Sequence, residues 1–507
     1  MILTLMNFFL NIWKKNLFIA ENKIIPFLFV LKTSVCGTGM LVLRRWQPRF
    51  YLGFNSVEKT GARRWVGLDN FAKIYPAVTK KTNPCVFRLS AILTENVDPD
   101  ALQKAAQVAI KRFPTMSVKL KKGLFWAYLY ENNNPLEVKE ESSYPCAPIM
   151  GDKENNEYLF KIMYFGSRIT LECFHALTDG MGAMEFLKSL VFQYLLLVGK
   201  DVHDDGMILL PESTPEKQEW EDGCLRYYQK YEKKPKFETR KAQSIQGTVL
   251  EDRGMNVIHG VIPVLPLNQY AREHKTTVTG YLVTVFAKAI LSSPSQQNQA
   301  KNCHPVQIGI PVNLRGIFPS RTLRNFVSQI NVSIPTESGL SFEELTESVT
   351  TQIKNTITKE NLSDRINTFV GYEKMFAGRF IPWFLKKGMI GFVSKRAAKT
   401  TTATLANLGN VKLPESMAKY IDMIEAVPAH KEAASINCGI CSVDGKLNIA
   451  FSSNITEADV IRNFFDLISG QTGLEIKLYS NGWIESNAQS VSGQDFYPLY
   501  TTSEIFN

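Results

Sequence analysis

The stretch Arg168-Ile169-Thr170-Leu171-Glu172-Cys173-Phe174-His175-Ala176-Leu177-Thr178-Asp179-Gly180-Met181-Gly182 decides how this chain is read. Its first half alternates. Ile169, Leu171 and Cys173 fall on one side and Thr170, Glu172 and Phe174 on the other, which is the period of a β-strand. Two glycines then mark a turn, and Ala183–Val198, apolar on nearly every side, closes at Gly199 as a helix buried between layers would. His175 continues the odd parity of the strand, so its imidazole is expected on the apolar face. Burial disfavours the charged form of an imidazole, which suits a general base working near neutral pH. Asp179, four residues on, stands at the mouth of the helix. There its carboxylate can cap backbone N–H groups or pair with a cation, and either role supports the base. His203, His259, His274, His304 and His430 have no such setting and read as packed or surface histidines.

Working outward, Leu159–Phe165 reads as a second strand. Asp98-Pro99 opens a helix carrying Leu102, Ala105, Ala106, Ala109, Ile110 and Phe113, and Pro114 ends it. Residues 201–253 are polar and read as a long crossover between lobes. Beyond them Thr277–Leu291 is helical in pattern, and Val306–Val312 and Phe326–Ile334 alternate as strands. Ser341 and Glu344 make a capping box for a helix through Ile357. Asp444-Gly445 joins Ile436–Val443 to Leu447–Phe451 as a tight hairpin, and Thr456 is expected to cap a last helix with Gly470 just past its end. The class is mixed α/β in two lobes, as a length of 507 residues also suggests, because single cores stop growing at about 250–300 residues.

Composition excludes several functions. At 45% hydrophobic and 21% charged the chain must fold in bulk. The net charge of +10 attracts anionic ligands, but the basic runs at Lys111-Arg112 and Lys233-Lys234 lack the aromatic spacing and motifs of nucleic-acid binding. Eight cysteines, at 35, 85, 146, 173, 224, 303, 438 and 441, form neither a disulfide framework nor paired zinc ligands and fit a reduced, cytoplasmic compartment. Cys438 and Cys441 form a lone C-x-x-C in a strand-like run, where an odd spacing points them to opposite faces, so no metal is expected.

The leader reads differently. Met1–Trp13 and Ile24–Leu31 are apolar runs broken by Lys14-Lys15 and by Glu21, Asn22 and Lys23, too short to cross a bilayer. Two readings stand: a membrane-surface segment giving peripheral contact, or upstream sequence before a start at Met40.

His175-Ala176-Leu177-Thr178-Asp179-Gly180 resembles the H-x-x-x-D-G signature of the CoA-dependent acyltransferases related to chloramphenicol acetyltransferase. That group includes condensation domains, plant BAHD acyltransferases, wax ester synthases and alcohol acetyltransferases. Pro311-Val312-Asn313-Leu314-Arg315 and Phe318–Phe326 are similar to the second-lobe strand and loop of the bacterial alcohol acetyltransferase branch. Asn407-Leu408-Gly409-Asn410-Val411 and the opening Trp65–Tyr75, with Leu68-Asp69-Asn70, resemble that branch too. The Asp-Phe-Gly-Trp-Gly loop of the plant and peptide-synthetase branches is absent, with Asn407–Val411 the candidate replacement on the donor side.

The resemblance implies two chloramphenicol-acetyltransferase-like lobes, 63–235 and 236–484, each a mixed sheet with helices and with a channel between them. An extension (1–62) and a tail (485–507) lie outside it. It implies His175 and Asp179 as the catalytic pair, supported by Gly180, Arg315 and Asn313, with Arg315 pairing Asp179 and Asn407 and Gly409 on a donor-side loop. Strand parity independently sets Asn313 and Arg315 on the face opposite Ile310 and Val312. No bound cofactor is implied. Acyl-CoA is a co-substrate, and the acceptor is a small alcohol or amine. The alternatives are a carrier-protein donor or lipid acceptor on the same fold, and a non-catalytic acyl-binding scaffold.

Overall fold

The computed structural model describes residues 65–481 apart from 143, 151–152, 231–239, 251–253, 298–303, 337–338, 375–380 and 430–433. The leader, the tail and His430 therefore lie outside the described residues. At the centre of the first lobe, β2 (Val86–Leu93) and β7 (Arg168–Phe174) form an antiparallel ladder in which Phe87 faces Cys173 and Leu89 faces Leu171. These side chains share one core with the helices Pro99–Ala109 and Gly180–Leu197. β5 (Val138–Glu140), β6 (Phe160–Phe165) and β12 (Ile421–Val427) complete the sheet in the order β12-β2-β7-β6-β5. Its edge strand β12 comes from the second half of the chain, so the two lobes interlock.

The second sheet has the order β10-β9-β11-β13-β14-β8-β15. It consists of β8 (Asn256–Pro263), β9 (Val306–Asn313), β10 (Val327–Ile334), β11 (Ala403–Asn410), β13 (Ile436–Val443), β14 (Lys446–Ser453) and β15 (Lys477–Ser480). β11 runs parallel to both neighbours, so both sheets are mixed. Helices Val278–Ser292, Phe342–Thr356 and Asp459–Thr472 cover one face around Phe286, Phe451, Phe464 and Phe465. A small third sheet holds β1 (Trp65–Gly67), β4 (Ala127–Glu131) and β3 (Val118–Lys122).

The even-numbered face of the β2–β7 ladder is polar yet buried, because the second sheet packs over it. Arg88 lies 3.2 Å from Glu172 and 2.7 Å from Glu141, and Arg168 lies 3.4 Å from Glu425 of β12. The sheets meet closely at Gly439 of β13, where an added Cβ would fall 2.1 Å from Ala426 O, so only glycine fits. Cys438 and Cys441 do point to opposite faces, one into each core.

The hairpin at Asp444-Gly445 is present, both residues with left-handed φ (45° and 76°), and so is the Ser341–Glu344 capping box. The last helix departs from expectation. It spans Asp459–Thr472, Gly470 lies inside it, and Gly473 (φ 67°) ends it. Thr456 does not cap it, because the helix begins two residues too late and its N-cap position is Ala458, which has no side-chain acceptor. The buried helix starts at Gly180, three residues before Ala183, because Asp179 caps it. The crossover contains a short turn, Lys217–Trp220, and a five-residue helix, Gly223–Tyr227.

Candidate active site

β7 ends at Phe174, and His175 is the first residue past it, tied to the ladder by its N–H donating to Cys85 O at 2.9 Å. The imidazole keeps the parity of the strand and packs on Phe87, with ring centres 4.5 Å apart. On another side it stacks on Tyr75, 5.0 Å away and inclined by 13°. Tyr75 begins the short helix Tyr75–Val78, and burial holds its phenol above the ordinary value, so it stays neutral. His175 is half-buried, less enclosed than the strand's parity suggested, because the strand has already ended.

Asp179 performs both of the roles foreseen for it. As N-cap, its Oδ1 accepts from Gly182 N at 3.0 Å. Its two oxygens also accept from Arg315, Nη1 to Oδ2 at 2.8 Å and Nη2 to Oδ1 at 3.1 Å, and Phe326 N donates to Oδ2 at 2.9 Å. Such a two-pronged pair fixes orientation as well as distance. Arg315 reaches it by a route that parity did not give. β9 ends at Asn313, and Arg315 sits on the turn Leu314–Gly316, where strand alternation no longer applies. Asn313 Oδ1 accepts from Arg315 N (3.1 Å) and Nη1 (3.2 Å), while Arg315 also donates to the carbonyls of Thr322 (3.0 Å) and Arg324 (2.7 Å). At Gly182 an added Cβ would meet Leu323 O at 2.1 Å, and the neighbouring Thr178 Oγ1 donates to that carbonyl at 2.6 Å. The second lobe therefore presses directly on the turn.

A further layer was not singled out residue by residue in the sequence. Asn325 Nδ2 donates to His175 O at 2.9 Å and to Asp69 Oδ2 at 3.3 Å. Arg324 lies 3.6 Å from Asp69 and donates to Gly67 O (2.7 Å) and Trp220 O (3.2 Å). Asp222 caps the helix Gly223–Tyr227 and accepts from Asn70 N at 2.8 Å. Burial pushes the Asp69 carboxyl up to about 6, with Arg324 opposing and Asp222 adding to the rise. The available signal was that Asp69, Asn70, Arg324 and Asn325 all fall in the stretches that carried the resemblance.

Asn407 and Gly409 lie near the end of β11, where the register shifts. Asn407 Oδ1 accepts from Gly409 N (2.8 Å), Gly409 has φ 76°, and Asn407 Nδ2 donates to Thr279 Oγ1 (3.0 Å). Between them Leu408 reaches Gly180, where an added Cβ would lie 2.9 Å from its Cδ2. This end of β11 and the first turns of the helix Gly180–Leu197 flank a groove of about 410 Å³ lined by Met181, Met184, Lys188, Met207, Leu408 and Lys412. Among the described residues no group of three or more His, Cys, Asp or Glu is placed to hold a metal, and no helix is long and apolar enough to cross a membrane.

The chain matches no protein-family model and no curated protein sequence. Solved structures do match it. TRI101 of Fusarium graminearum, complexed with coenzyme A and deoxynivalenol, superposes over 82% of this chain and 100% of its own with a TM-score of 0.54 at 10% identity. The trichothecene 15-O-acetyltransferase of Fusarium sporotrichioides covers 82% of this chain and 96% of its own (TM-score 0.53, 10% identity). Polyketide synthase associated protein 5 of Mycobacterium tuberculosis covers 81% and 97% (TM-score 0.51, 13% identity). The protein thus has the two-lobed α/β fold of the CoA-dependent acyltransferases and condensation domains. At these identities the likeness is one of fold.

Proposed function

We propose that this protein is an acyltransferase that moves an acetyl or other acyl group from a CoA thioester to an alcohol or amine, with His175 as general base. An imidazole nitrogen of His175 takes the acceptor's proton as its oxygen or nitrogen attacks the thioester carbonyl. The tetrahedral intermediate then expels the CoA sulfur, which receives the proton from the imidazolium, and the products are an ester or amide and a free thiol. The observation that carries the reading is the construction around His175. Its ring is held by Tyr75 and Phe87, its carbonyl by Asn325, and its turn by the Asp179–Arg315 pair, so that both lobes fix one half-exposed imidazole. Asp179 and Arg315 act on the position of the ring through the turn, and Asn313 acts on Arg315. The groove beside Leu408, mostly apolar, with Lys412, Asn410 and the Lys188–Glu185 pair at its wall, suits the acyl or pantetheine part of a donor. Incubating the protein with acetyl-CoA and a panel of alcohols and amines while following thiol release tests the proposal. Acceptor-dependent release is the expected result, and release that never depends on an acceptor contradicts it.

A further inference from the structure

The helix Trp383–Ala398 departs from the usual plan of a surface helix, which turns an apolar stripe inward and a polar face to water. Its inner side is thin. Trp383 is buried and its backbone N–H donates to Leu124 O (2.7 Å), and Lys386 is turned inward, donating to Phe125 O (3.1 Å) with its ammonium 3.8 Å from the Trp126 ring. Its outer side carries the larger apolar load. Phe384 (71% exposed), Leu385, Met389, Phe392 and Val393 all face solvent, and at about 100° per residue they occupy one half of the helix surface. Leu124 (70% exposed) and Phe125, on the β3–β4 turn that hydrogen-bonds the start of the helix, extend the same patch. Scattered exposed apolar residues need no explanation, but seven large ones in one place mark a contact surface. The helix contains no Asp or Glu, while Lys387, Lys395 and Arg396 are exposed and Lys399 follows.

We propose that this face docks on an anionic lipid bilayer, the apolar half entering the boundary between headgroups and acyl chains and the cations meeting the headgroups. At about 100° per residue Lys395 and Arg396 rise from the end of the same half of the helix and Lys387 from its flank. Apolar groups and cations without any acidic residue thus meet one surface, which complements an anionic interface. The charge pattern selects this occupant over a second copy of the chain, since a symmetric contact through the helix would set cation against cation. The location adds a consequence. The helix packs on the short helix Tyr75–Val78, whose Tyr75 stacks on His175, so two helices connect a docked bilayer to the ring. The docking itself does not depend on what His175 does.

Vesicle flotation with the full chain tests this, using phosphatidylcholine alone and phosphatidylcholine with a third phosphatidylglycerol. Every variant keeps the leader and differs only at exposed positions of the helix. The parent should prefer the anionic vesicles by roughly a hundredfold, as expected for three or more cations near a charged surface. Lys387→Glu with Lys395→Glu and Arg396→Glu should erase that preference. Phe384→Ser with Phe392→Ser should weaken binding to anionic vesicles by roughly tenfold or more. His175→Ala should bind as the parent does, which separates this surface from the catalytic reading. Absence of parent binding, or binding that both helix variants leave unchanged, overturns the proposal. A parent that sediments as a dimer, is made monomeric by the serine variant and ignores vesicles overturns it as well.

Discussion

Among the histidines that stack on tyrosines, His259 and His175 have surroundings that differ in instructive ways. His259 lies on β8 with a strand on either side, paired to Ala450 and to Tyr479. Its ring lies 4.5 Å over Tyr479 at 5°, its Nδ1 is 3.2 Å from Asn448 Oδ1, and burial lowers its pKa with Glu425 opposing. His175 has a similar partner in Tyr75 but sits one residue past a ladder, in a turn held by both lobes, and is half-exposed. Under the proposed function, a neutral, stacked, well-held imidazole such as His259 lacks what His175 has, which is access. His175 stands where the ladder has ended, and the proposal gives that position the task of meeting a reactant.

That contrast breaks most visibly under substitution. His175→Ala should cost about 10²–10⁴ in turnover while leaving unfolding free energy within about 1 kcal/mol of the parent. His259→Ala should do the reverse, lowering stability by about 2–4 kcal/mol, since it opens a cavity and strips Asn448 of a partner, with turnover per folded molecule nearly unchanged. Turnover lost in the second variant and kept in the first would invert the comparison.

Asp179 and Arg315 sharpen it next, because they hold the turn that sets His175 apart. Removing either partner strands a charge in a mostly buried site and should cost about 3–5 kcal/mol. Combining Asp179→Asn with Arg315→Met should cost less than the sum of the two changes. Additive losses in urea unfolding would mean that the pair does not bind the lobes together.

The layer around His259 makes a prediction about pH. Arg168, with His259 and the hydroxyl of Tyr479 (2.7 Å), holds the Glu425 carboxyl down at about 2 against its burial. A carboxylate depressed in the folded state stabilises above its unfolded pKa, and this contribution is lost as pH falls through the folded value. About 3 kcal/mol should therefore disappear between about pH 4.5 and pH 2. Glu425→Gln should flatten this acid slope, and an unchanged slope would show that the layer does not titrate with folding. The smallest effect expected is at Ser341, far in sequence from either histidine. Ser341→Ala breaks the capping box and should cost about 1 kcal/mol without altering turnover.

What could be read in advance follows the range of the interactions. β7, the Ile436–Ser453 hairpin around Asp444-Gly445, the capping box and the Asp179 cap are set by neighbours within a few residues, and local pattern exposed them. β12 was not anticipated, because what makes Ile421–Val427 a strand is β2, more than 300 residues earlier. Helix Trp383–Ala398 was also missed, since apolar residues on both of its sides blur the helical period. At the site, the Asp179–Arg315 contact was anticipated through resemblance, but the parity offered for it fails because Arg315 stands on a turn. Tyr75, Phe87 and Asn325 reach His175 only through the tertiary fold, and no local pattern around any of them announces it.

The most direct test of the central claim is thiol release from acetyl-CoA by His175→Ala at saturating acceptor, measured with and without added imidazole. Release near background that rises with the concentration of neutral imidazole is the predicted result, because the free base then occupies the place of the missing ring. Turnover close to the parent's without imidazole would contradict the assignment of His175 as the base.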